Sequence, residues 1–170
     1  MKRIAVMVLA LMLALCFAAR AETAEAAKVG GLAPDFEVET LDGEVFRLSD
    51  CRGKVVFLNI WATWCPPCVS EMLDIQALFE AYPDDLVVIG VSVDGTREEV
   101  EGFVAENEYT YTFAMDDNYI VSGLLYPTYY IPNSIFIDPD GIIVSMDVGA
   151  SDYNTLEARF LSILAEARGE

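Results

Sequence analysis

The chain has 170 residues, with 10 Lys+Arg against 28 Asp+Glu and a formal net charge of −18. So acidic a chain cannot neutralise a row of phosphates, which excludes nucleic acid as a partner. Histidine is absent, and with it go Ser-His-Asp triads, Cys-His proteases and His-ligated zinc or haem. The 54% apolar and 11% aromatic content is that of a folded domain. Chemistry is left to carboxylates, hydroxyls and four cysteines.

Lys2 and Arg3 precede an unbroken apolar run, residues 4–19, and Ala19-Arg20-Ala21 follows with small residues at both positions a signal peptidase reads. Residues 1–21 therefore read as a secretory signal peptide. The run is shorter than the ~20 residues a spanning helix wants, and an uncleaved anchor in the cytoplasmic membrane is the alternative. Leu15 ahead of Cys16 is too large for a lipoprotein cleavage site. Removing 1–21 takes away Lys2, Arg3 and Arg20 but no carboxylate, so the exported chain is more acidic still. It should repel anionic headgroups, with no strong binding to a membrane surface, and attract basic partners. The expected location is extracytoplasmic: periplasmic, secreted or membrane-anchored. Cys51, Cys65 and Cys68 then meet an oxidising compartment.

Residues 22–28 (ETAEAAK) read as a short linker, and 29–170 as one domain without repeats or low-complexity stretches. Phe36–Thr40 and Val45–Leu48 flank Asp42-Gly43, a hairpin signal. Val55–Ala62 (VVFLNIWA) is apolar almost throughout, as a strand covered on both faces would be. After Cys68, residues Met72, Ile75, Phe79 and Tyr82 keep helical spacing. Leu86–Val93 predicts a second buried strand, and Thr96-Arg97-Glu98-Glu99 has capping-box spacing for a helix to about Asn107. Residues 110–115 predict a short strand and 118–125 a short helix. Strands over Ser134–Asp138 and Ile142–Val148 are joined by Pro139-Asp140-Gly141, and an amphipathic helix over Asp152–Ala167 closes the chain. This order predicts an α/β domain: a central mixed sheet flanked by helices on both faces, with an N-terminal β-hairpin extension.

Trp64-Cys65-Pro66-Pro67-Cys68 falls where a buried strand ends and a helix begins. Cys65 lands at the helix N-cap, where free N–H groups and the helix dipole favour a thiolate. Cys68, one turn on, can close a disulfide with it or resolve a mixed one. A structural zinc site wants four ligands, and this pair supplies two. A structural disulfide over so short a loop would constrain little unfolded-state entropy. The pair therefore reads as redox-active, with metal binding and a purely structural bridge as alternatives. No cofactor and no resident metal is expected.

WATWCPPC after VVFLNI, with Ala33-Pro34-Asp35-Phe36 and Leu48-Ser49-Asp50 before it and Ile131 to Asp138 (IPNSIFID) after it, resembles the TlpA/ResA family. That family comprises thioredoxin-fold, extracytoplasmic thiol-disulfide oxidoreductases, and the resemblance spans residues 29–170. It implies that Cys65 attacks, Cys68 resolves, and Pro132 is a cis-proline presenting backbone to an extended substrate beside Ile131. It implies that Glu71 is the acidic residue near the dithiol, able to take a proton from Cys68. The alternative is a first-turn carboxylate that suits the helix dipole. Asn59 stands where thioredoxins proper place a buried aspartate. Trp64 would shield the sulfurs and join the partner surface, or simply pack, while Trp61 belongs to the core. Tyr126-Pro127-Thr128-Tyr129-Tyr130 departs from the family in its aromaticity, and Tyr130 stands where glycine is common; packing in the core or a partly covered surface is expected of it, with a grip on a particular peptide or protein as the alternative. Cys51 is expected to be a buried or half-buried loop thiol.

The leading function is reduction of protein disulfides outside the cytoplasm, with apocytochrome c cysteines as one substrate and a membrane protein as electron donor, by a monomer. Pro66 and Pro67 lack N–H groups, no histidine lies between the cysteines, and the chain is strongly anionic. Each stabilises a Cys65 thiolate less than in a strong oxidant, so a reductant or isomerase is expected. Two alternatives stay open. One is a thiol peroxidase, although residues 58–65 lack the proline of the peroxidatic pattern. The other is a non-enzymatic Cu(I) carrier using Cys65 and Cys68, with Met72 nearby.

Overall fold

The computed structural model describes residues 26–170. The expected signal peptide or anchor (1–21) and most of the expected linker lie outside the described residues. A short antiparallel hairpin comes first, β1 (Glu37–Glu39) and β2 (Val45–Arg47), in a register that sets Glu37 opposite Arg47. A 3-10 turn (Leu48–Cys51) then leads into the central strand β3 (Val55–Trp61), all seven residues of which are buried. Helix α1 (Pro66–Ala81), strand β4 (Leu86–Ser92), helix α2 (Arg97–Glu106) and strand β5 (Thr112–Met115) follow. Strands β6 (Asn133–Ile137) and β7 (Ile143–Val148) and helix α3 (Tyr153–Arg168) complete the chain.

The five-stranded sheet runs β5-β4-β3-β6-β7, with β3–β4 and β4–β5 parallel, and β3–β6 and β6–β7 antiparallel. The sheet is mixed, as expected. Helix α2 is capped by Thr96, whose hydroxyl accepts from the Glu99 N–H at 3.3 Å, and α3 by Asp152, whose carboxylate accepts from the Thr155 N–H at 2.8 Å.

Alternation along β3 splits the core in two. Val55, Phe57 and Trp61 face the three α-helices, packing with Met72, Ile75 and Leu78 of α1, Val100 of α2, and Leu156, Phe160 and Ile163 of α3. Val56, Leu58 and Ile60 face the other way, onto Ala33, Phe36 and Leu48 of the N-terminal segment and onto Val121, Leu125 and Tyr126. The short helix expected at 118–125 is a 3-10 turn (Asp117–Tyr119) followed by a π-helical turn (Ile120–Leu125). Asn118 and Tyr119 take left-handed backbone angles there, and the Asp116 carboxylate accepts the Val121 and Ser122 N–H groups at 2.8 and 2.7 Å. That capping satisfies the turn's free donors and lets it pack an apolar side on the sheet.

The N-terminal segment touches both outer strands. Leu32 bridges Ile142 beside β7, and Thr40 bridges Ala114 of β5. Its path is pinned midway by the buried Tyr126, whose hydroxyl donates to the Pro34 carbonyl at 2.7 Å. Gly90 in β4 is required by the other face. A Cβ there would meet Phe113 Cδ1 and Trp61 Nε1 at 3.0 Å, so the close approach of these two rings fixes a residue without one.

Candidate active site

Strand β3 ends at Trp61 in the middle of the sheet, and four residues later the chain turns into α1. Cys65 is the N-cap of that helix, with extended backbone angles, and Pro66 and Pro67 occupy its first two positions. Proline suits these positions, because the N–H it lacks would have had no helical partner. The consequence for the sulfur is specific. The first backbone donor that α1 can offer is the Cys68 N–H, and it reaches Cys65 Sγ at 3.3 Å. Cys65 and Cys68 form a disulfide with a Cα–Cα distance of 5.3 Å. Both cysteines are buried, Cys68 entirely, whereas Trp64 beside them is 66% exposed.

The loop before β6 closes over the same point. The Ile131–Pro132 peptide bond is cis, and the Ile131 carbonyl lies 3.8 Å from Cys65 Sγ. The Gly149 N–H donates to the Pro132 carbonyl at 2.9 Å, tying this loop to the end of β7. Ile131 is half-buried and Pro132 buried. Tyr126 to Tyr130 divide: Tyr126 is buried, but Tyr129 and Tyr130 stand 88% and 74% exposed. The expectation of core packing or a partly covered surface thus holds for the first tyrosine and fails for the last two. The reason is local. The Thr128 N–H donates to the Ser122 carbonyl at 2.8 Å, which holds the loop's base to the π-helical turn and leaves 129–130 as its crest.

Behind the disulfide, Glu71 follows Cys68 by one turn of α1 and is buried among Met72, Ile75 and Leu78. The side-chain amide of Asn59, on the helix-facing side of β3, donates to Glu71 Oε1 at 2.8 Å. The Ser151 N–H, just ahead of α3, donates to Oε2 at 3.1 Å. Burial pushes the Glu71 carboxyl up to about 7, against the lowering effect of these two donors. Such a group exchanges a proton near neutral pH. Asn59 also donates to Ser134 Oγ at 3.2 Å, while its own Oδ1 is buried without a partner. The hydroxyl of Tyr111 is likewise buried and unpartnered, and burial, with smaller effects of Tyr109 and Glu71, pushes its pKa well above the ordinary value.

The structure thus brings Trp64, Cys65, Cys68, Glu71, Ile131 and Pro132 to one end of the sheet. Sequence reasoning noticed Asn59 only as standing where thioredoxins proper place a buried aspartate, and missed it as a donor to Glu71. A single amide inside the apolar run VVFLNIWA was the available signal. Ser151 contributes through its backbone, so no side-chain pattern could announce it. Cys51 is a half-buried free thiol in the 3-10 turn after β2, away from the pair; burial, with help from Asp50, pushes its pKa up.

Comparison with known proteins follows this geometry. The AhpC/TSA family model matches residues 29–146. Thiol-disulfide oxidoreductase ResA of Oceanobacillus iheyensis is 39% identical over 135 residues, covering 76% of this chain and 70% of its own. Among solved structures, a Chlorobium tepidum protein provisionally described as thiol:disulfide interchange protein DsbE superposes with a TM-score of 0.76 at 30% identity, covering 82% of this chain and 99% of that one. A secreted thiol-disulfide isomerase from Corynebacterium glutamicum gives 0.71 at 28% identity, covering 77% and 84%. With a helix-capping cysteine pair at the end of the central strand, the chain has the thioredoxin fold and belongs to the AhpC/TSA family, within which it is a ResA-like thiol-disulfide oxidoreductase.

Proposed function

We propose that the protein works outside the cytoplasm as a reductase of protein disulfides, with apocytochrome c cysteines among its substrates. The carrying observation is that three groups meet at the head of α1: the Ile131 carbonyl 3.8 Å from Cys65 Sγ, the disulfide to Cys68, and the buried Glu71 one turn further on. In the reduced protein the Cys65 thiolate attacks a target disulfide. A mixed disulfide forms and the first target thiolate leaves and takes up a proton. Cys68 loses its proton to Glu71 and attacks Cys65 Sγ, expelling the second target thiolate. The second thiolate takes up the proton held by Glu71, so the target gains two electrons from the dithiol and two protons, one from solvent and one by way of Glu71. The backbone at Ile131–Pro132 holds the target as an extended segment, and Trp64 forms the opposite border of that contact. A membrane donor restores the dithiol, and the protein acts as a monomer.

The direction of electron flow is supported by the two prolines, which leave Cys65 Sγ with the Cys68 N–H as its first-turn donor. Weak stabilisation of the thiolate keeps the reduced form energetic and the couple reducing. Export is supported by the basic start and apolar run at the N-terminus, and by the secreted relative from Corynebacterium glutamicum. Among the described residues no helix is long and apolar enough to cross a membrane.

The test is the reduction potential of the Cys65–Cys68 couple, measured by equilibration with glutathione and dithiothreitol buffers. The reading requires a value near or below about −270 mV. A value near about −120 mV would make the protein an oxidant instead.

A further inference from the structure

Tyr129 and Tyr130 are 88% and 74% exposed and immediately precede Ile131, whose carbonyl is 3.8 Å from Cys65 Sγ. Trp64, at 66% exposure, immediately precedes Cys65. Large aromatic side chains at an active-site crest expose π faces that favour a cation and disfavour an anion. Two carboxylates lie beside other residues of the site. Asp94 is anchored against the chain beside Trp64, its carboxylate accepting from the Thr63 N–H and hydroxyl at 2.8 and 2.6 Å and from the Ser92 hydroxyl at 2.6 Å. Asp152 follows Ser151, the residue whose N–H holds Glu71, and its hydrogen bonds to Thr155 hold its carboxyl below the usual range. Arg97 pairs with Glu39 and Glu101, and Arg159 with Asp147. Lys54 and Arg168 lie at the opposite end of the sheet, bonded to the Pro83 carbonyl and to Asp85.

We infer that Tyr129 and Tyr130 make this site selective for target segments that carry lysine or arginine beside the cysteine to be reduced. The segment lies extended along Ile131–Pro132 and places its cationic side chains over the two rings, on a chain whose net charge is −18. This inference rests on the reductase reading above and supplies its substrate class. The chemistry is unchanged: target disulfide plus protein dithiol gives two target thiols plus the Cys65–Cys68 disulfide. The rings contribute to encounter and holding.

The test uses the pre-reduced protein and three disulfide-bonded peptides identical except for the residues flanking the cysteine, which are Lys, Gln or Glu. Tryptophan fluorescence follows oxidation of the protein, and the second-order rate constants are compared at low salt. The expected order is Lys over Gln over Glu, with Lys about tenfold ahead of Gln. The double variant Tyr129→Leu/Tyr130→Leu keeps apolar bulk without π faces. It should bring the Lys and Gln rates within about twofold of each other, whereas Tyr129→Phe/Tyr130→Phe should keep them apart. Lys and Gln rates within twofold of each other in the wild type would overturn the inference, as would an unchanged Lys advantage in the Leu pair. Failure of all three peptides to oxidise the protein would overturn the reductase reading and this inference together, and is distinguished by the lost Gln rate.

Discussion

The Asn59 side-chain amide donates to Glu71 Oε1 at 2.8 Å across the interface between the central strand and the first helix. The bond links the middle of the sheet to the only charged side chain on the buried side of that helix. It stabilises the carboxylate against the burial that opposes it. Asn59→Ala should therefore raise the Glu71 pKa beyond about 7 and move the pH dependence of mixed-disulfide resolution upward by about one unit. Ser134→Ala removes only the second bond of the same amide and should leave the profile in place. Single-turnover rates against pH separate the two variants.

Glu71 also links protonation to stability. Its folded pKa of about 7 exceeds the ordinary 4.5, so the folded state holds a proton that the unfolded chain releases between those values. Stability should accordingly fall as pH rises from about 4.5 to about 7, by roughly 3 kcal/mol as an upper bound, and stay lower above that window. Denaturant midpoints of the oxidised protein at pH 5 and pH 8 measure the fall. Glu71→Gln should flatten it. The glutamine can accept from the Ser151 N–H and donate to Asn59 Oδ1 once the Asn59 amide turns over, and that oxygen is otherwise unpartnered.

The prolines at the head of the first helix can be tested singly. Pro67→Ala restores an N–H at the second helical position, in reach of an N-cap acceptor. One added hydrogen bond to the Cys65 thiolate stabilises the reduced form and raises the potential, by about 10–30 mV. A potential unchanged from the wild type would show that the sulfur does not sense that position.

The contact with the cis-proline loop separates the two sulfurs of the pair. Cys68 is wholly enclosed and Cys65 nearly so, with Cys65 nearer the Ile131 carbonyl. Cys68→Ser should accumulate a mixed disulfide on Cys65 when offered a disulfide substrate, visible by intact-mass measurement. Cys65→Ser should form none at Cys68 on the same timescale.

Much of this arrangement was legible in the sequence because the signals were local. The period change after Cys68 located the first helix, the capping-box spacing from Thr96 marked the start of the second, and Asp42-Gly43 marked the hairpin. The turn at 117–125 was legible only as helical, since its form depends on Asp116 capping two N–H groups from five and six residues away. The exposure of Tyr129 and Tyr130 was hidden for a related reason. Tyr126 and Tyr129 are chemically alike in sequence, and it is contacts distant in the chain, the bond from the Tyr126 hydroxyl to Pro34 and its packing on Phe36, that hold Tyr126 inward. The Ser151 donor is a backbone group brought to Glu71 by the packing of the third helix beside the first.

The N-terminal segment has a consequence beyond covering one face of the sheet. By bridging Ile142 at one margin and Ala114 at the other, it works as a clasp that interrupts both free strand borders. An unclasped sheet offers its unpaired backbone to any extended chain, including a second copy of itself. With both borders engaged, intermolecular strand addition is discouraged, and an unfolded client would be met at the disulfide end.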